Sequence, residues 1–129
     1  MQPYFAPYLG YFQLMAAVDR FVLLDDVNFI NRGWINRNRI LLGGREHMVT
    51  IPLRGASQNL RINEIELDDQ APWRAKLART LEQAYRKAPY FEETMPLLRA
   101  QLACPDSGLA PFLRASLASF HAWLELPCR

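Results

Sequence analysis

The chain has 129 residues, with 15 Lys and Arg against 13 Asp and Glu, for a net charge of +2. Half of it is apolar and 22% is charged, ordinary globular proportions that exclude intrinsic disorder, while the near-balanced charge argues against a broad basic face for nucleic acid. No apolar run approaches the roughly 20 residues of a membrane span, MQPYFAPYLG lacks the basic and apolar regions of a secretory signal, and two cysteines make neither a disulfide framework nor a metal cluster. The expectation is one cytoplasmic domain over 1–129, with an α/β part at 1–71 and a helical part at 72–129.

In chain order, Met1 to Pro7 is rich in proline and aromatic residues and is expected to be an extended loop, because proline fixes φ and removes a donor. Tyr8 to Val18 reads as a short apolar helix. Arg20 to Leu24 is continuously apolar after its arginine, which predicts a strand covered on both faces and ended by Asp25-Asp26. Arg39 to Leu42, Gly43-Gly44 and Glu46 to Pro52 read as a hairpin. Leu60 to Leu67 alternates apolar and polar residues and predicts a further strand. Beyond Pro72 the pattern is helical. Trp73, Leu77, Leu81 and Tyr85 form an apolar stripe expected in the core, Asp68 or Asp69 is placed to cap this helix, and Lys87-Ala88-Pro89 breaks it. Helices over Phe91 to Ala103 and Leu109 to Leu126 follow, separated by Cys104 to Gly108. The fold class is mixed α and β: a Rossmann-like strand/helix unit with a β-hairpin, then a helical half.

Several of these segments together resemble the WbqC-like protein family. They are MQPYFAPYLGYFQL, FVLLDDVNFINRGWINRNRI, VTIP, NEIEL and YRKAPYF, in that order across nearly the whole chain. The resemblance implies a role in O-antigen, lipopolysaccharide or other surface-polysaccharide biosynthesis, because members are similar to proteins found among such genes. It supplies no reaction. Such proteins begin a short strand earlier and continue well beyond this point, so the resemblance implies a piece of the N-terminal half. The run Phe5 to Tyr11 also resembles in spacing the nucleotidylyltransferase loop that holds phosphates at a helix start. Tyr11 stands where the histidine of that loop would be.

Asp25 and Asp26 end the expected strand, where ligand-facing residues gather in open α/β sheets. Adjacent strand residues point to opposite faces, so only one of them can serve a given pocket as a catalytic or metal-bridging carboxylate; the alternative is a turn aspartate. Between Asn31 and Arg39 lie three arginines and three asparagines around Trp34. So many polar groups cannot all be buried at about 1–3 kcal/mol per unpaired group. Arg32, Arg37 and Arg39 are suited to phosphate, Asn31 and Asn36 to hydroxyls, and Trp34 to stacking on a sugar or base. The structural alternative is a loop whose asparagines satisfy turns and whose arginines pair with Asp25, Asp26 or Glu46. Gln2, Tyr4, Gly10 and Tyr11 complete the candidate set. The expected ligand is a nucleotide-activated sugar or its acceptor, with Mg²⁺ as the conceivable cofactor. Arg37→Ala should then abolish binding at little cost in stability. The rival reading is a non-catalytic assembly module, dimerising through an uncovered apolar face around Phe112, Leu113, Leu117, Phe120 and Trp123.

Overall fold

A computed structural model describes residues 1–129. Its elements are α1 (Leu9–Ala17), β1 (Arg37–Leu42), β2 (Arg45–Thr50), β3 (Leu53–Arg54), a 3₁₀ turn (Ile62–Glu64), β4 (Glu66–Leu67), α2 (Trp73–Tyr85), α3 (Phe91–Leu102) and α4 (Leu109–Trp123). This is a mixed α and β fold with two separate two-stranded antiparallel sheets, β1–β2 and β3–β4. The hairpin falls where the Gly-Gly pair predicts. Gly43 and Gly44 have φ of 60° and 77°, values that a two-residue turn of the right twist requires and glycine adopts freely.

Two expected strands take other forms. Phe21 to Leu24 is extended, but belongs to neither sheet. Its main chain is held by the termini: the Met1 amino group donates to Val22 O at 2.9 Å, Leu24 N to Met1 O at 2.8 Å, and Phe21 N to Arg129 O at 2.8 Å. No neighbouring strand covers it, so Val22 is 65% exposed. The second is Leu60 to Leu67. Ile62 and Ile65 are both fully buried and lie three apart, a spacing a strand cannot place on one face; the 3₁₀ turn at Ile62–Glu64 absorbs the slip before β4.

One main core joins both halves of the chain. Phe5, Ile35, Val49, Ile51, Ile62, Ile65 and Leu67 meet Trp73, Leu77, Leu81, Met95, Leu102, Phe112 and Leu113. A smaller cluster of Tyr11, Met15, Leu117 and Cys128 seats α1 on α4, and Tyr4 packs against both. The apolar face expected to lie open on α4 is therefore largely covered: Phe112, Leu113 and Leu117 are buried, Phe120 is half-buried against Phe12, and only Trp123 is exposed. The apolar stripe of α2 also departs at one position, because Tyr85 is exposed while Trp73, Leu77 and Leu81 are buried.

Asp69 does not cap α2, whose N-cap is Pro72. Its carboxylate instead accepts from Trp73 Nε1 at 2.7 Å and from Arg74 Nε at 3.1 Å. Arg74 in turn donates to the carbonyls of Leu102, Cys104 and Asp106, which ties the start of α2 to the α3–α4 turn. Between α3 and α4 a polar trio is fully paired. Ser116 Oγ donates to Gln101 Oε1 at 2.8 Å, and Gln101 Nε2 donates to Ser119 Oγ at 2.6 Å. No helix is long and apolar enough to cross a membrane.

Candidate functional site

The richest concave feature is a groove of about 400 Å³, in which 14 of 19 lining residues are hydrophobic. Five parts of the chain build it, one of them α4 through Phe120. The N-terminal loop gives Phe5, Ala6 and Tyr8, and the hairpin gives Asn38, Arg39, Ile40 and Val49. The end of α2 gives Leu81 and Tyr85, while Pro89, Tyr90, Phe91 and the inner face of α3 close the far wall. Aromatic rings stand at its rim: Tyr8 is 67% exposed and Tyr90 70%. Such rings offer flat apolar faces with a hydroxyl handle, suited to a ring-shaped, partly polar ligand.

Two of the four non-glycine residues at positive φ line this groove, Ala6 at 44° and Tyr90 at 64°. The left-handed region costs an ordinary residue about 1–2 kcal/mol, so each must be held by its surroundings. For Ala6 the holder is Asn38. Its Nδ2 donates to Ala6 O at 2.6 Å and Phe5 O at 3.2 Å, while its Oδ1 accepts from Arg39 N at 2.7 Å. Gly10 acts on the same wall. A Cβ at that position would lie 2.4 Å from the Tyr8 ring, so the ring occupies space that only glycine leaves open.

The candidate residues read from the sequence divide into three places. Arg39 alone lines the groove, and the pleat sends its side chain to the opposite face of the hairpin from Ile40 and Val49. On that outer face Arg39 and Arg37 flank the Trp34 ring, at 5.0 and 5.9 Å from its centroid, and Arg39 pairs with Glu46 at 2.8 Å. Arg37 is occupied within the loop, donating to Gly33 O at 2.9 Å and to Arg32 O. Asn36 donates to Ile51 O at 2.9 Å. Asn31 and Arg32 are exposed, with Arg32 itself at φ 58°.

The second place is the inner cluster. Tyr11 is buried, donates its hydroxyl to Gln2 O at 2.9 Å, and lies 5.7 Å from Tyr4 between ring centroids. Burial pushes the Tyr11 hydroxyl well above the usual phenol range, with Tyr4 adding to the effect. The third place is the end of the extended segment. Asp25 pairs with Arg114 of α4 at 2.7 Å and Asp26 is exposed; neither lines the groove. No three His, Cys, Asp or Glu side chains converge as a metal site would require.

Sequence reasoning passed over Tyr8, Tyr85, Tyr90 and Asn38 as groove residues. A signal existed in the segments that carry the family resemblance. MQPYFAPYLGYFQL, the NRNRI end of the loop segment, VTIP and YRKAPYF are far apart in the chain, and residues of all four line the groove.

Comparison with known proteins agrees with that resemblance. The chain is 35% identical over 94 residues to an uncharacterized protein, Rv1507c, of Mycobacterium tuberculosis (strain ATCC 25618 / H37Rv); the match covers 72% of this chain and 40% of that protein. The chain thus spans about 40% of the length of the curated relative it matches. No solved structure matches. The model of the WbqC-like protein family matches residues 2–129, and the chain belongs to that family.

Proposed function

We propose that the groove binds a nucleotide-activated sugar or its acceptor, in the synthesis of O-antigen, lipopolysaccharide or another surface polysaccharide. The observation that carries this reading is the tyrosine-rimmed groove itself, which offers Tyr8, Tyr85 and Tyr90 as stacking faces. Thr94 and the tyrosine hydroxyls supply the few polar groups that orient such a ligand, since Asn38 and Gln101 spend theirs within the protein. The link to surface polysaccharides comes from what the family resemblance implies. Any Mg²⁺ would arrive on the phosphates of the ligand.

Binding without chemistry in the groove is the second reading, and a specific observation favours it. The lining holds no Asp, Glu, His, Lys or Cys. The groups there that could do acid–base or nucleophilic work are therefore tyrosine and threonine hydroxyls, with no carboxylate or imidazole beside them in the groove to activate them. A group transfer would draw its catalytic residue from beyond the groove, with Asp25 or Asp26 as the carboxylates first proposed.

A thermal-shift screen with nucleoside diphosphate sugars, with and without Mg²⁺, tests the reading. A ligand that binds only the folded state stabilises it by RT ln(1 + [L]/Kd), about 2.7 kcal/mol at 100 Kd. The expected result is a rise in Tm that disappears in Tyr90→Ala and persists in Trp34→Ala. Loss in Trp34→Ala with Tyr90→Ala unaffected would move the ligand to the outer face of the hairpin. No shift with any nucleotide sugar would overturn the proposal.

A further inference from the structure

A second cleft, of about 700 Å³, opens between β2 and the first half of α2. It adjoins the groove along the helix and shares Val49 with it. Its chemistry is different. His47, Lys76 and Arg79 line it, and no carboxylate does. None of these three groups takes part in an ion pair; the five pairs of the chain engage Arg39, Arg54, Arg74, Arg99 and Arg114. Lys76 and Arg79 are one helical turn apart, which makes them neighbours on the surface of α2. His47 shares a strand face with buried Val49, the face turned toward the core.

The strand adds main-chain donors. Ile51 N donates to Asn36 O at 2.7 Å, and with Asn38 opposite Val49 and Ile40 opposite His47 this fixes the phase of the β1–β2 ladder. Residues of β2 that alternate with those pairs, Met48 and Thr50, turn their N–H groups to the outer edge. No strand pairs with β2 there, and both residues line the cleft. Unpaired cations on one wall therefore face free N–H donors on the other.

We propose that this cleft is a phosphate site, held by Lys76 and Arg79 with His47 and the edge of β2 completing the shell. Arginine offers a planar fork and lysine a point charge to phosphoryl oxygens. The site accepts either free inorganic phosphate groups or the phosphates of a ligand whose remainder lies in the adjoining groove. The second source rests on the function proposed above; the anion site itself does not.

Calorimetric titration with inorganic pyrophosphate at low ionic strength separates these cases. Saturable binding is expected, weakened about tenfold or more in Lys76→Gln/Arg79→Gln, as loss of two charge-assisted contacts implies. Arg86→Gln/Lys87→Gln, which alters cations of the same segment outside the cleft, should leave it unchanged, as should Tyr90→Ala. Absence of saturable binding overturns the proposal. So does equal weakening in Arg86→Gln/Lys87→Gln, since a diffuse positive field would then account for it. A nucleoside diphosphate sugar weakened by both Tyr90→Ala and the cleft double substitution identifies the ligand as the source of the phosphate. Pyrophosphate binding that follows the expected pattern, with no nucleotide-sugar binding at all, keeps the phosphate site and removes the function proposed for the groove.

Discussion

Replacing Asn38 is the most direct perturbation of the groove wall. Asn38→Ala removes two tertiary hydrogen bonds, to Ala6 O at 2.6 Å and Phe5 O at 3.2 Å. At about 0.5–1.5 kcal/mol each, with the shorter bond near the upper end, the loss is about 2 kcal/mol. Arg39 N, at the exposed edge of β1, turns to water and adds little. For a chain of this length each kcal/mol corresponds to about 3–5 °C, so Tm should fall by about 6–10 °C. The N-terminal loop should also loosen, because Ala6 at φ 44° has lost the residue that holds it. Thermal unfolding by circular dichroism measures the first effect and limited chymotrypsin cleavage at Tyr8 the second. Asn38→Asp sharpens the test. It keeps the acceptor for Arg39 N but sets a carboxylate against two carbonyls, so it should be worse than alanine at neutral pH. Its folded-state pKa is raised, so the variant should recover stability as the pH is lowered and the acid can again donate. Ala6→Gly should act in the opposite direction and raise Tm by a few degrees, since relief of about 1–2 kcal/mol of strain exceeds the added unfolded-state entropy of about 0.4–1 kcal/mol. An Asn38→Ala protein that melts within about 2 °C of the parent and resists chymotrypsin equally would refute the reasoning.

Four further outcomes follow from single side chains. Gly10→Ala should leave Tm unchanged or slightly higher, since alanine favours the helix by about 1 kcal/mol. It should nevertheless weaken groove binding by displacing the Tyr8 ring; titration of the bound ligand against the variant checks it. Tyr11 is neutral in the fold beyond its ordinary range, so its contribution to stability is complete below about pH 10 and declines as the pH rises above that. Tyr11→Phe should lose the bond to Gln2 O, about 1 kcal/mol, and abolish that alkaline decline in a Tm–pH series. Asp69 is held below the usual carboxylate range, chiefly by its hydrogen bond to Arg74. Its contribution is present above about pH 4 and is lost as the pH falls further. Its side chain is 43% exposed, so Asp69→Asn should flatten the acid limb only slightly, at the low end of about 0–1 kcal/mol. Arg37→Ala should lower Tm by a few degrees through the loss of its bonds to Gly33 O and Arg32 O, and should leave groove binding intact. Binding lost without a fall in Tm would restore Arg37 as a ligand contact.

Local rules explain which elements were legible. The hairpin announced itself because Gly43-Gly44 is the turn chemistry that a two-residue connection demands, and the helices after Pro72 because their apolar spacing and proline breaks are unambiguous. Phe21 to Leu24 joins no sheet because an apolar run makes a strand possible without supplying a partner for it. Its main-chain bonds go to Met1 and Arg129, at opposite ends of the chain. Leu60 to Leu67 alternates well enough over its whole length to predict one strand, yet holds a 3₁₀ turn. The three-residue step from Ile62 to Ile65 marked the 3₁₀ turn.

The site was harder to read for a different reason. Composition drew attention to Asn31–Arg39, where polar residues are dense, but density does not separate residues that bind a ligand from residues that bind their own loop. Asn36, Arg37 and Asn38 spend their donors on Ile51, Gly33, Arg32, Phe5 and Ala6. Their polarity is consumed in shaping a chain that must turn sharply and still support the wall of a groove. The tyrosines of that groove drew no notice because aromatic residues in a sequence look like core. What distinguishes Tyr8 and Tyr90 is that the backbone holds them outward, through the space at Gly10 and the left-handed conformation at Tyr90. The unpaired cations of α2 were equally silent, since Lys76 and Arg79 read as a solvated helix face until β2 is seen beside them. In each case the informative quantity is the partner a polar or aromatic group lacks, and only the folded arrangement supplies it.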